Sequence, residues 1–275
     1  MEERGVKGFR FYVLDNGIIE EDSNNLVAFT TTSTGLDREV KNKMVDIPVW
    51  CVLFKHPDLG WFLFDTGCHP DVLNGRCEKR IIDCFPYHFT EKQTLKYQLD
   101  RIGVRPEEIN LIVLSHWHFD HAGGLEFFPN AKVICSRADF DFAAESIFAN
   151  QPSLGSGSYL TADFLVPVKE RKYIDEDCEL ARGVELITLP GHSPCVLGLV
   201  AHLENGTYIF PSDAINVRGN YGPPARPCGQ LYDSLGFFKS IEKVRKIAEK
   251  YDAKIMYSHD IEVFNEFKKA PEFYE

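Results

Sequence analysis

The sequence predicts an α/β domain made of two similar halves, and three observations carry that prediction. Short runs of β-branched and aromatic residues alternate with amphipathic stretches of helical length. The stretch VELITLPGHSP (184–194) repeats the order of strand and histidine-bearing loop found in INLIVLSHWH (109–118). No repeat of fixed period and no low-complexity linker divides the 275 residues, so 1–275 is expected to form one domain.

In chain order, strands are predicted at 9–15 (FRFYVLD), 25–31 (NLVAFTT), 47–54 (IPVWCVLF) and 61–67 (WFLFDTG), which are β-prone and broken by Pro-Asp or Gly. Thr90 is expected to cap a helix that sets Leu95, Leu99 and Ile102 on one face and ends at Gly103. INLIVL (109–114) is short and wholly apolar, as a buried strand is, which places the residues after it on a strand-to-helix loop. AKVICS (131–136) leads into a helix over 137–149, and QPSLGSGS (151–158) reads as a flexible loop. VLGLVAHLENGTYIFPSDA (196–214) is a hairpin turned at Asn205-Gly206. A long amphipathic helix over about 232–251 and a strand KIMYS (254–258) follow.

Composition narrows the function. Hydrophobic residues at 44%, with 21 Phe, supply a sizeable core. A formal charge of −11 leaves no basic face to track a phosphate backbone, so no nucleic-acid partner is expected. The start MEERGVKGFRFYVLD has no apolar signal segment, and no apolar run is long enough to span a bilayer, so a cytoplasmic protein without a membrane partner is expected. The eight cysteines are scattered without a C-x-x-C pair and read as reduced thiols, with Cys68 and Cys195 the two near histidines.

The chemistry concentrates in LSHWHFDHAGG (114–124). Imidazole and carboxylate are ordinary ligands of zinc-like ions, and one loop can turn His116 and His118 toward one ion while Asp120 and His121 face another. Four ligands do not fill two sites. His192 in LPGHSP, Asp213 in FPSDA and His259 in YSHD each follow a predicted strand end, where active-site groups of layered α/β proteins gather. His56, His69, His88 and His202 lie outside these loops and receive no role.

SHWHFDHAGG with isolated His192, Asp213 and His259 resembles the metallo-β-lactamase superfamily. The whole chain, including FDTGCHPDVL (64–73), resembles its N-acyl homoserine lactonases. The resemblance implies an αβ/βα sandwich, two mixed β-sheets face to face with helices outside. It implies that His116, His118 and His192 hold one metal, that Asp120, His121 and His259 hold a second, and that Asp213 bridges them. Two divalent ions, with zinc first among them, would then share a water and deliver hydroxide to the lactone carbonyl, while Asp120 takes and returns the proton. Asp65 in FDTG is a candidate to orient a ligand histidine.

Two positions depart from the lactonase pattern. Cys195 and Val196 stand where G-H-T-P-G-H would continue with Gly and His. The tyrosine that such lactonases place three residues after the bridging aspartate is Asn216 here. Tyr221, in the loop NVRGNYGPPARPCG, is expected to fold back and replace that phenol, with Asn216 as the alternative hydrogen-bond donor. The aromatic residues between Phe140 and Phe148 are expected to favour an acyl tail if they line the site.

Competing readings on the same scaffold are a thioester hydrolase of glyoxalase II type, a β-lactamase, a phosphodiesterase and a mononuclear-iron sulfur dioxygenase. Charge disfavours the phosphodiesterase. The β-lactamase reading expects a signal peptide, and the glyoxalase II reading expects a helical substrate domain beyond the 16 residues after His259. A diiron oxygen reductase would substitute Glu for His118 and add a flavin region. A metal-binding protein without catalysis is disfavoured because all seven ligand types are present.

Overall fold

The computed structural model describes residues 5–149 and 158–275, so most of the stretch read as a flexible loop (151–158) lies outside the described residues. Twelve strands form two sheets among the described residues. The first contains β1 (Arg10–Asp22), β2 (Met44–His56), β3 (Gly60–Phe64), β4 (Tyr87–His88), β5 (Ile109–Val113), β6 (Lys132–Ser136) and β7 (Glu170–Ile174), in the order β4-β1-β2-β3-β5-β6-β7. The second contains β8 (Cys178–Ala181), β9 (Val184–Leu189), β10 (Val196–Leu203), β11 (Gly206–Phe210) and β12 (Lys254–Ile255), in the order β12-β11-β10-β9-β8. Both sheets are mixed: β3, β5, β6 and β7 run parallel, as do β11 and β12, and the remaining pairs are antiparallel.

The layering follows from strand alternation, which sends successive side chains to opposite faces. On β1, Phe11 and Val13 join Val52, Phe54, Leu197, Leu199 and Phe210 in a core between the sheets. Their neighbours Tyr12 and Leu14 join Leu53, Leu63, Leu95 and Leu99 on the outer face of the first sheet, under helix Leu95–Ile102. On β10, Val196 and Val200 pack outward on Phe237, Ile241 and Val244 of helix Ser234–Tyr251. Helix, sheet, sheet, helix is the αβ/βα sandwich that the resemblance implied.

Most predicted elements are present within a few residues, and Gly103 ends its helix in the left-handed region at φ 77°. The predicted strand at 25–31 is absent. Asn24 instead bonds Asp22 and, at 2.6 Å, Thr31, which closes a turn, and Phe29 is an exposed residue at φ 61°. Among the described residues no helix is long and apolar enough to cross a membrane.

Strand direction sets the position of the site. β5, β9, β11 and β12 all release their C-terminal ends into the loops that carry the candidate ligands. The FDTG and HAGG segments interlock beneath them. The Thr66 N–H donates to the His121 carbonyl at 2.7 Å, and the Gly124 N–H donates to Thr66 Oγ1 at 3.1 Å. A Cβ on Gly123 would stand 2.4 Å from the His69 nitrogen and 2.8 Å from the Gly67 carbonyl, so this approach requires glycine.

Candidate metal centre

The seven ligand-type residues fall into two groups that share one aspartate. His116, His118, His192 and Asp213 form one, and Asp120, His121, Asp213 and His259 form the other. Within each group the candidate ligand atoms lie within 4.8 Å of one another. Asp213 turns Oδ2 to the first group, 3.4 Å from His192 Nε2 and 3.9 Å from His116 Nε2. It turns Oδ1 to the second, 3.2 Å from His121 Nε2 and 3.1 Å from His259 Nε2. His118 Nδ1 and His192 Nε2 are 3.1 Å apart, and Asp120 Oδ2 is 3.4 Å from His121 Nε2.

Such spacings suit a divalent ion in each group, because ligand atoms about 2.1 Å from a tetrahedral ion stand roughly 3.4 Å from each other. The donor chemistry agrees. His116 Nε2, His121 Nε2 and Asp213 Oδ1 are buried without a hydrogen-bond partner among the described residues, an arrangement that is costly unless something else engages them.

Four of the five histidine rings are held from behind. The Nδ1–H of His121 donates to Asp65 Oδ2 at 2.9 Å, that of His192 to the Gln230 carbonyl at 3.1 Å, and that of His259 to the Pro48 carbonyl at 3.0 Å. Ser115 Oγ donates to Asp65 Oδ2 at 2.8 Å, so it accepts from His116 Nδ1 at 3.0 Å. These four bonds fix the tautomers and leave Nε2 of all four rings turned to the cluster. Asp65, expected to orient a ligand histidine, holds two of the rings, one directly and one through Ser115. It does so at φ 61°, where Ser115 N–H also donates to it at 2.7 Å.

The two groups differ in electrostatics. Burial, reinforced by neighbouring histidines, pushes His116 well below the usual range and His118 down to about 3, and burial also lowers His192. Burial works against protonation of His121 and His259 as well, but Asp213 and Asp120 outweigh it. His121 is held well above its usual range and His259 is pushed up to about 9. Asp213 stays well below the carboxylate range despite burial, because His259 and His121 face it. The first group thus offers neutral imidazoles, and the second is a corner that strongly favours positive charge.

A recess opens onto both groups. Its walls include Ile19, Ile47, Phe85 and Phe119 together with Glu21, Asn25 and Asn216. Asn216 Oδ1 is buried and has no partner among the described residues. Tyr221 does not reach the recess. Its ring packs 6.2 Å from that of Tyr257 with the Arg245 guanidinium 5.1 Å away, and Arg245 also donates to its carbonyl. The aromatic stretch 140–148 is elsewhere too: Phe140 stacks on Phe164, Phe142 meets Tyr159 and Tyr232, and Phe148 is exposed.

The histidines given no role are engaged outside the cluster: His56 with the Arg182 carbonyl, His69 with Glu126, His88 with Glu20 and His202 with Glu185. Burial raises the thiols of Cys68 and Cys195, which disfavours the reactive thiolate in both. Sequence reasoning missed Glu21. Its signal is the alternation of β1, which puts it on the buried face with Ile19.

The model of the Metallo-beta-lactamase superfamily matches residues 44–259. The chain is 33% identical over 279 residues to the N-acyl homoserine lactonase AiiB of Agrobacterium fabrum, covering 98% of this chain and all of that one. It is 28% identical over 239 residues to the lactonase AiiA of Bacillus thuringiensis subsp. kurstaki, covering 84% and 88%. A solved N-acyl homoserine lactone hydrolase, with the product N-hexanoyl-L-homoserine at its catalytic metal center, superposes with a TM-score of 0.82 at 26% identity, covering 98% of this chain and all of that one. With the sandwich fold, the two ligand groups and these likenesses together, the chain belongs to the metallo-β-lactamase superfamily and, within it, to the N-acyl homoserine lactonase family.

Proposed function

We propose that this protein opens the lactone ring of N-acyl homoserine lactones by hydrolysis at a pair of divalent ions, with zinc as the ion. The observation that carries the reading is the division of seven buried ligand-type groups into two sets joined through the two oxygens of Asp213, at the floor of a recess. His116, His118 and His192 would hold one ion and Asp120, His121 and His259 the other, with Asp213 touching both. Bound there, the ions would supply positive charge for a carbonyl oxygen and would lower the pKa of a water toward neutral.

The remaining chemistry belongs to the chain. Asp65, Ser115, Gln230 and Pro48 keep four of the five histidine rings in one orientation, so none of the four needs to reorganise during turnover. Asp120 takes a proton on its carboxylate during attack and returns it to the departing alkoxide. Asn216, in the wall of the recess, donates its amide hydrogen to the substrate carbonyl. Residues 1–275 act as one hydrolase domain, since one core joins both sheets. All eight cysteines are free, which fits a reducing, cytoplasmic setting.

Incubating the purified protein with acyl homoserine lactones, a thioester and a β-lactam while following acid release tests the reading. Lactones alone should be turned over, about two ions per chain should be found, and heavy-oxygen water should label the new carboxylate. Label in the product hydroxyl, or preference for the thioester, would overturn it.

A further inference from the structure

Glu21 has no place in the chemistry above, yet it is built into the same chamber. It lies near the end of β1, paired with Val45 of β2, and it is only 6% exposed. It lines the recess beside Asn25, Asn216, Asp120, Asp213 and His259, but it belongs to neither ligand group. Burial raises its carboxyl to about 8, with His259 opposing the rise and Asp213 and Asp120 adding to it. Among the described residues nothing donates a hydrogen bond to its carboxylate. A buried carboxyl without a partner is expensive, and its carbonyl oxygen accepts a hydrogen bond whether or not the group carries a proton.

The substrate class proposed above offers one complement to such a group. The lactone ring and the acyl carbonyl present only acceptors. In an unsubstituted acyl homoserine lactone the single donor is the amide N–H, on the nitrogen attached directly to the ring. We infer that Glu21 is a specificity-determining residue that accepts this amide N–H and so sets the ring over the metal centre. The inference rests on the lactonase reading. It predicts that the protein discriminates by the linkage between ring and tail as well as by the ring, because a site built around a donor rejects an analogue that lacks it.

The test compares hexanoyl homoserine lactone with its ester isostere, in which the N–H is replaced by oxygen, on the metal-loaded wild type, Glu21→Gln and Glu21→Leu. Ring opening is followed by mass spectrometry. Wild type should favour the amide by tenfold or more in kcat/KM, a loss in keeping with one buried hydrogen bond. Glu21→Leu should lose that preference. Glu21→Gln, which keeps an acceptor oxygen and nearly the same shape, should retain part of it. Calorimetric affinity for the ring-opened product N-hexanoyl homoserine should fall by tenfold or more in Glu21→Leu, with about two ions per chain and an unchanged melting profile.

An amide preference that survives intact in both variants would overturn the inference. Loss of metal in both would make Glu21 part of the ligand shell and overturn it as well. If wild type opens neither lactone, the lactonase reading itself fails, and this inference falls with it. Should Glu21→Leu fail to fold, an amide-to-ester ratio and product affinity in Glu21→Gln equal to wild type would still count against it.

Discussion

Asp65 holds the ring of His121 from behind at 2.9 Å and places its Nε2 3.2 Å from Asp213. Asp65 itself sits at φ 61°, a region that Asn tolerates better than most residues do. Asp65→Asn therefore removes the charge while sparing the backbone. It should weaken retention of the second ion by roughly tenfold to a hundredfold in a chelator competition. Wild-type retention would show that the aspartate does not steer the ring.

Asp213 faces both groups with separate oxygens, whereas Asp65 acts only through other side chains. Elemental analysis should find less metal in Asp213→Ala than in Asp65→Ala. The reverse order would remove Asp213 from its proposed place between the ions.

Asn216 lines the recess and Tyr221 does not. Asn216→Ala should lower kcat by roughly tenfold to a hundredfold at unchanged metal content, as expected for one hydrogen bond used in the transition state. Tyr221→Phe should leave kcat within about twofold. A large loss in Tyr221→Phe with none in Asn216→Ala would return the role to the tyrosine.

Burial lifts the carboxyl of Asp139 from the ordinary 3.8 to about 6, against hydrogen bonds that favour its ionised form, including one from the Trp117 N–H at 2.8 Å. Because the folded value is the higher one, the folded state binds the proton more tightly. The contribution is fully present below about pH 4 and is lost as pH rises through about 6, at up to about 1.4 kcal/mol per pH unit. Asp139→Asn cannot titrate, so the melting-temperature gap between wild type and Asp139→Asn should shift against wild type between pH 4 and 7. A shift in wild type's favour over that range would contradict the sign.

What the sequence made legible was local. His116, His118, Asp120 and His121 sit within six positions, and His192, Asp213 and His259 each follow a strand end that the apolar runs announce. The illegible parts depend on partners far along the chain. Tyr221 is turned from the recess by Arg245 on a helix packed behind it. The run 25–31 has strand composition, yet side-chain bonds from Asn24 take the place of a ladder. Strands β7 (ERKYI) and β8 (CELA), short and at sheet edges, carry too little β-branched, alternating apolar signal to be seen.

The hold on His259 reaches across most of the chain. Its Nδ1–H bonds the Pro48 carbonyl 211 positions away, and beside it Trp50 Nε1–H bonds the Ser258 carbonyl at a separation of 208. Contacts that close so large a loop carry a high entropic cost and tend to form after the main folding barrier has been crossed. The complete centre then exists only on the native side of that barrier, so bound ions act on the rate of leaving the native state and little on the rate of reaching it. In stopped-flow traces a chelator should hasten unfolding severalfold and leave refolding unchanged. Resistance to proteolysis would accordingly follow the supply of metal even where the folding rate does not.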